Sequence, residues 1–255
     1  MKIDPKTFEG FNRVITGVVV PRPIAFVSTI SPEGVLNVAP YSFFNVVSYN
    51  PAMVIISSSR HAGDKRKDTL ANIENTGEFV VNIVVDDIAE AMNMTAAEYP
   101  AEDSEFDIAG LSPAPSDLVK PPRVAESPVN LECKLNQIIT LGEGSHEHGL
   151  VIGEVVLVHV RDDIIDGHRI NQQRLKPTGR LAGNMYCHTT DVFEMVRPSY
   201  QPDPTQSVTR VPTERYAGPW TSGDTPPCPV GGASEKTIDS GAKTKPRCCP
   251  TPGQK

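Results

Sequence analysis

Basic residues are outnumbered. The 255-residue chain carries 24 Lys and Arg against 31 Asp and Glu, a formal net charge of −7. These charges are spread along the sequence, so the basic face that a nucleic-acid binder needs is missing. Long apolar runs are also missing. The stretch from Val14 to Val20 is only strand-sized, far short of a membrane span. Met1-Lys2-Ile3-Asp4-Pro5 lacks the apolar core of a signal peptide, which makes a cytoplasmic protein the expectation. Cysteine is sparse, with five residues and neither a CxxC pair nor the Cys/His spacing of a zinc site. The expected arrangement is two buried thiols, Cys133 and Cys187, with Cys228, Cys248 and Cys249 in a loose tail. No GxGxxG follows a strand, so any nicotinamide cofactor must bind without a Rossmann module. There is no Ser-His-Asp or Cys-His constellation, internal repeat or heptad pattern.

What is present is concentrated between Arg22 and Thr69. Ile24–Ile30 and Val35–Ala39 are apolar, β-branched runs. The intervening Ser31-Pro32-Glu33-Gly34 has Pro and Gly at the second and fourth positions of a type I turn, predicting a β-hairpin. Phe43–Ser48 and Ala52–Ile56 continue the strand pattern across Asn50-Pro51. Polar residues collect at the strand ends: Ser28 and Thr29, Asn37 and Ser42, then Ser57-Ser58-Ser59-Arg60. Gly63, Lys65, Arg66 and Lys67 follow, and Asp68-Thr69 reads as a helix N-terminus. Hydroxyls, a short cationic cluster and free helix N–H groups together make a cradle for a phosphate.

Elsewhere the pattern predicts a first strand over Val14–Val20, another over Glu78–Val85, and a helix capped by Asp86 or Asp87. Tyr99–Arg123 reads as a long loop, and Val129–Leu141 and Gly149–Val160 as strands. Arg22 precedes Pro23 and is biased to extended geometry. It reads either as an arginine aimed at a ligand or as a surface arginine on a Pro-rich kink. His146 and His148 are better explained as a polar hairpin tip than as metal ligands, and no metal site is expected. Asp162, Asp163 and Asp166 read as a solvated turn. Ten of the 24 prolines fall in the last 57 residues, which contain no Leu or Phe. Such a segment buries too little apolar surface to offset its ordering entropy, so disorder is expected. The expected division is therefore 1–198, a mainly β domain with flanking helices, and 199–255, a Pro-rich tail.

The ordered series RPIAFVST, NVAPYSFFNVVS, SSSR and KDTLANIENTGEFVVN resembles the flavin reductase-like family, from about Phe8 to Arg197. Pro177–Tyr186 is similar to that family's late "P..RLGG..Y" element, with Ala182 where a glycine is common. The resemblance implies an FMN-binding split β-barrel and a homodimer with flavin near the subunit interface. It also implies NAD(P)H as electron donor and an oxygenase or other electron acceptor as partner, with no nucleic acid or membrane involved. On that basis Ser57, Ser59, Arg60, Lys67 and Thr69 are expected around the phosphate. Ser28, Thr29, Asn37, Ala39 and Ser42 are expected along the ribityl chain and ring, and Tyr186 near the ring. No catalytic side chain is required, because the flavin carries the chemistry. The alternative is an FMN-binding electron-transfer protein that does not use NAD(P)H, with a flavin-storing protein as a third reading.

Overall fold

The structure, a computed structural model, describes residues 1–59, 66–144 and 147–195. The expected strand over Val14–Val20 is instead a helix, α1 (Phe11–Val18). Phe11, Val14, Ile15 and Val18 stand at i, i+3, i+4 and i+7, which is a helical stripe, and Thr16-Gly17 breaks any strand alternation. The predicted hairpin is present. β1 (Ala25–Ile30) pairs antiparallel with β2 (Leu36–Tyr41), and the Gly34 N–H donates to Ser31 O at 3.0 Å. Gly34 has φ +95°, a backbone state that glycine adopts without steric cost.

β3 (Phe44–Tyr49), β4 (Ala52–Ser59), α2 (Asp68–Thr76) and β5 (Glu78–Ile83) follow. A 3-10 turn at Asp86–Ile88 then leads into α3 (Ala89–Met94). Neither Asp86 nor Asp87 caps this segment, since both lie inside the turn and Val85 holds the cap position. The long 99–123 loop contains a short helix, α4 (Glu105–Ala109), and a two-residue pair, β6 (Pro113–Ala114) with β7 (Arg123–Val124). β8 (Val129–Leu141) and β9 (His148–Val160) form a long bulged hairpin. The small elements β10 (Ile165–Asp166), β11 (Arg169–Ile170), α5 (Gln172–Leu175), β12 (Thr178–Arg180) and β13 (Tyr186–His188) complete the described chain.

Seven strands form one antiparallel sheet in the order β2-β1-β5-β8-β9-β4-β3. Its two edge strands, β2 and β3, are consecutive in the chain and separated only by Ser42-Phe43, so the sheet curls until its ends meet. Alternation along β1 sends Ala25 and Val27 to one core with Leu70 and Ile73 of α2. Phe26 faces a second core with Ile88, Met92 and Phe106. A buried polar seam joins the loop to the sheet. Asn82 Nδ2 donates to Phe26 O and Ser28 Oγ, and its Oδ1 accepts from Val124 N and Asn130 Nδ2. Among the described residues no helix is long and apolar enough to cross a membrane.

Candidate functional site

One end of the site is the start of α2. Its cap residue, Lys67, is extended, and among the described residues no side chain caps the helix, which leaves its first N–H groups as donors. Asp68 lies in the first turn rather than capping it. Thr69 is buried, and its Oγ1 accepts from Asn37 Nδ2 at 3.0 Å, which joins the helix to β2. Lys67 Nζ stands 5.9 Å from the centroid of the Tyr41 ring. Tyr41 is itself buried, and burial raises its pKa, with the nearby Thr69 and Ser58 hydroxyls opposing. Its Oη nonetheless makes no hydrogen bond at bonding geometry among the described residues. Glu105, reaching in from α4, accepts from Val38 N at 3.1 Å on the free edge of β2, and burial raises its pKa too.

The other end is built around Arg22, which is 8% exposed. Its Nη1 donates to Thr16 O and to Val19 O, two of the last carbonyls around the end of α1. Its Nη2 donates to Leu181 O at 3.0 Å, and its Nε donates to Ser42 Oγ at 3.2 Å. Both open readings of Arg22 are thus modified: it lines the cleft, but its donors are used to join α1, β2 and the segment after β12. Arg180 lies beside it. Its Cζ sits 4.4 Å from the Tyr186 ring centroid, and it donates to Tyr186 Oη and Gly183 O. Tyr186 Oη in turn donates to Asn93 Oδ1 at 3.0 Å. Gly183 has φ +58°, which a side chain would strain.

Between these ends lies a cleft of about 590 Å³ with Ile24, Ala39, Phe43 and Met92 among its walls. That volume is in the range of small-molecule and cofactor sites. The structure brings Asn37, Ala39, Ser42, Lys67, Thr69 and Tyr186 together on it. Ser28 and Thr29 do not line it. Ser28 Oγ donates to Pro122 O at 2.5 Å, and Thr29 Oγ1 accepts from Asn72 Nδ2 at 3.1 Å, both in the buried interior. Ser57 Oγ is 3.1 Å from His148 Nδ1, and Ser59 ends β4; neither is on the cleft wall. Arg60, Gly63 and Lys65 lie outside the described residues. Tyr41, Glu105, Met92, Arg13 and Arg180 also line the cleft. Of these, Tyr41, within the NVAPYS run, and Arg180, within the Pro177–Tyr186 element, carried a local sequence signal. The others arrive from elements whose contacts are long-range.

The remaining polar groups are accounted for. His148 begins β9 with its ring stacked on Phe43, and His146 lies outside the described residues. Asp163 and Asp166 form ion pairs with Arg161 and Arg174, in keeping with a solvated turn. Cys133 is buried, and burial pushes its thiol pKa up. Cys187 is only partly buried, a correction to the expected pair of buried thiols. Cys228, Cys248 and Cys249 lie outside the described residues, as does the whole of the expected disordered tail, 199–255. Glu132, Asp117 and His159 draw together, but the Glu132 carboxylate already accepts from three backbone N–H groups and contacts His159.

Comparison with known proteins converges on one group. Residues 18–176 match the family described as flavin reductase like domain. The chain is 40% identical to the crystal structure of nitrilotriacetate monooxygenase component B from Bacillus cereus. The alignment has a TM-score of 0.73 and covers 76% of this chain and 98% of that one. It is 34% identical to 2-nitrobenzoate 2-nitroreductase from Pseudomonas fluorescens, at a TM-score of 0.71 and with 80% and 100% of the two chains covered. A split-barrel protein of Shewanella frigidimarina, assigned to the flavin reductases, shares the fold at 23% identity and a TM-score of 0.67, over 79% and 100% of the chains. With the curled seven-stranded sheet and a nucleotide-sized cleft at the junction of its ends, this chain belongs to the flavin reductase-like family of split-barrel proteins.

Proposed function

We propose that the chain binds FMN in this cleft and is an oxidoreductase that uses NAD(P)H. One observation carries the reading. Among the described residues, the N-terminus of α2 is uncapped and lies beside Lys67 and the buried hydroxyl of Tyr41, which has no hydrogen bond at bonding geometry. A buried hydroxyl without a partner is costly, and a phosphate at this point would accept from it and from the helix N–H groups. The residues present therefore fit a phosphorylated flavin. Lys67, Thr69 and Tyr41 would hold the phosphate, with Ser57, Ser59 and Arg60 supplying further donors from the end of β4. Asn37, Ala39 and Ser42 would line the ribityl chain and ring, and Tyr186 would border the ring. Ser28 and Thr29 would contribute through the packing they secure beneath β2 rather than through their hydroxyls.

FMN, when bound, would supply the hydride-accepting chemistry. The chain's own part is to orient the ring, keep one face open to the reductant and hold the phosphate at a fixed distance from it. The names of the similar proteins support an onward transfer to an oxygenase partner or to a nitroaromatic acceptor. A homodimer fits the exposed Val46, Val47 and Tyr49 along the β3 edge, a place where a second sheet edge could be covered. A cytoplasmic setting and a separate 199–255 tail belong to the same proposal. The test is the visible spectrum of the protein with FMN, before and after anaerobic NADH or NADPH. Bleaching of the flavin band at an enzymatic rate supports the reading and identifies the donor. Bound flavin that does not bleach favours the electron carrier, and absence of bound flavin refutes the proposal.

A further inference from the structure

The cleft has a second cationic end that a flavin phosphate at Lys67 leaves unused. β2 runs from Asn37, which contacts Thr69, to Tyr41, and Ser42 contacts Arg22 just beyond it. Five residues of extended chain separate Asn37 from Ser42 by about 16 Å, and Lys67 Nζ lies between them, 5.9 Å from the centroid of the Tyr41 ring. At the Ser42 end, Arg13 and Arg180 both line the cleft wall. Arg22 sets their position. Its guanidinium is bonded to Thr16 O, one turn of α1 beyond Arg13, and to Leu181 O, next to Arg180. Gly17 and Ala182 pack together in the same contact, with the position of a Gly17 Cβ 3.7 Å from Ala182 Cβ.

Among the described residues, neither Arg13 nor Arg180 forms an ion pair with a carboxylate. Three carboxylates line the cleft, Asp68, Glu98 and Glu105, and of these Asp68 and Glu105 belong to the Lys67 end. Burial, and then the charge of Arg180, lower the pKa of Arg22, so the like charges are felt. Guanidinium groups on one wall with no ion-paired carboxylate among the described residues match an oxyanion; Arg180 gives one N–H to Tyr186 Oη and one to Gly183 O and keeps its remaining N–H groups for it. The oxidised flavin ring carries no full negative charge to occupy them.

We propose that Arg13 and Arg180 form an oxyanion subsite at the Ser42 end of the cleft, which takes the phosphate or carboxylate of the second reactant rather than any part of the flavin. The inference rests on the flavin reading for what occupies the Lys67 end. The same chemistry has two sources: the pyrophosphate of a nicotinamide dinucleotide, or the carboxylate of an aromatic acceptor.

The experiment is calorimetric titration of the full chain, with and without FMN, using wild type, Arg13→Ala and Arg180→Gln. The probes are benzoate with neutral benzamide as control, and NADH with the phosphate-free reduced nicotinamide riboside as control. Both substitutions should weaken benzoate or NADH by about tenfold or more, the scale of one charge-assisted contact. They should leave benzamide and the riboside within about twofold and cost FMN less than Lys67→Ala does. The oxyanion that responds identifies the source. Arg13 is exposed on α1 and makes no side-chain hydrogen bond or ion pair among the described residues, so Arg13→Ala keeps the test free of folding effects if Arg180→Gln is unstable. Unchanged affinity for both oxyanions in both variants overturns the proposal. So does a fall in FMN affinity equal to that of Lys67→Ala, which would assign the arginines to the flavin. Failure of wild type to bind FMN refutes the flavin reading alone. In that case, Arg13-dependent binding of benzoate or NADH to the flavin-free chain supports the subsite, and its absence overturns it.

Discussion

Glu132 offers the sharpest quantitative expectation, because a fully buried carboxylate holds a loop that has little secondary structure of its own. Its Oε1 accepts from Asp117 N at 2.8 Å and lies 2.6 Å from His159 Nε2. Its Oε2 accepts from Leu118 N at 2.6 Å and from Val119 N at 3.2 Å. Burial pushes its pKa up, but the Asp117 and Leu118 N–H groups and His159 together outweigh that effect and hold it below the usual carboxylate range. Glu132→Gln keeps the shape, replaces an acceptor by an NH2 group facing N–H donors, and removes the charge. One buried donor left unsatisfied costs about 1–3 kcal/mol, and losing charge assistance adds to it, so we expect a loss of roughly 2–4 kcal/mol. In a domain of this size that lowers Tm by roughly 4–16 °C. Equilibrium urea unfolding followed by circular dichroism measures it directly. The sign with pH follows from the depressed pKa. The stabilisation is fully present above the unfolded-state value of about 4.3 and is lost as pH falls through the folded-state value. The gap between wild type and Glu132→Gln should therefore close in acid. A difference under about 1 kcal/mol at neutral pH, on the scale of an ordinary neutral hydrogen bond, would refute the assignment of Glu132 as the anchor of this loop.

Four further outcomes are expected. Tyr41→Phe removes a hydroxyl with no hydrogen bond at bonding geometry among the described residues, so chemical denaturation should show stability unchanged or raised, while fluorescence titration shows weaker FMN retention; Lys67→Ala should weaken FMN by about 10- to 100-fold and leave riboflavin unaffected. Gly153→Ala would place a Cβ 2.3 Å from Cζ of the fully buried Phe79, and urea unfolding should register a loss of about 1–3 kcal/mol or more from overpacking. Truncation after Arg197 should preserve soluble protein and flavin binding, as judged by gel filtration and the visible spectrum; loss of either would make the tail structural.

Local chemistry made much of the fold legible. The Ser31–Gly34 turn, the alternation of β1 and the valine-rich β9 are each determined by residues within a few positions, and their strands appear where the pattern places them. The start of α2 was legible for the same reason. Errors arose where two periods compete over a short run, as in α1, whose β-branched residues suggested a strand although their spacing was helical. They also arose where a hydroxyl's partner is distant. Nothing near Ser28 reveals that its Oγ is directed to Pro122, 94 positions away, so a strand-end serine read as a ligand contact. Glu105 entered the cleft unannounced because α4 reaches it through tertiary packing alone.

The bond from Arg22 Nη2 to Leu181 O spans 159 positions, while half of the sheet's six strand pairings join hairpin neighbours. Contacts of such long range are formed late, after local hairpins have repaid their loop-closure entropy. During synthesis the strands of the sheet emerge well before Leu181, so the sheet can assemble around a cleft with one wall missing. Full ligand affinity therefore comes as the last event of folding, and binding energy can accrue only to chains whose final strands have docked.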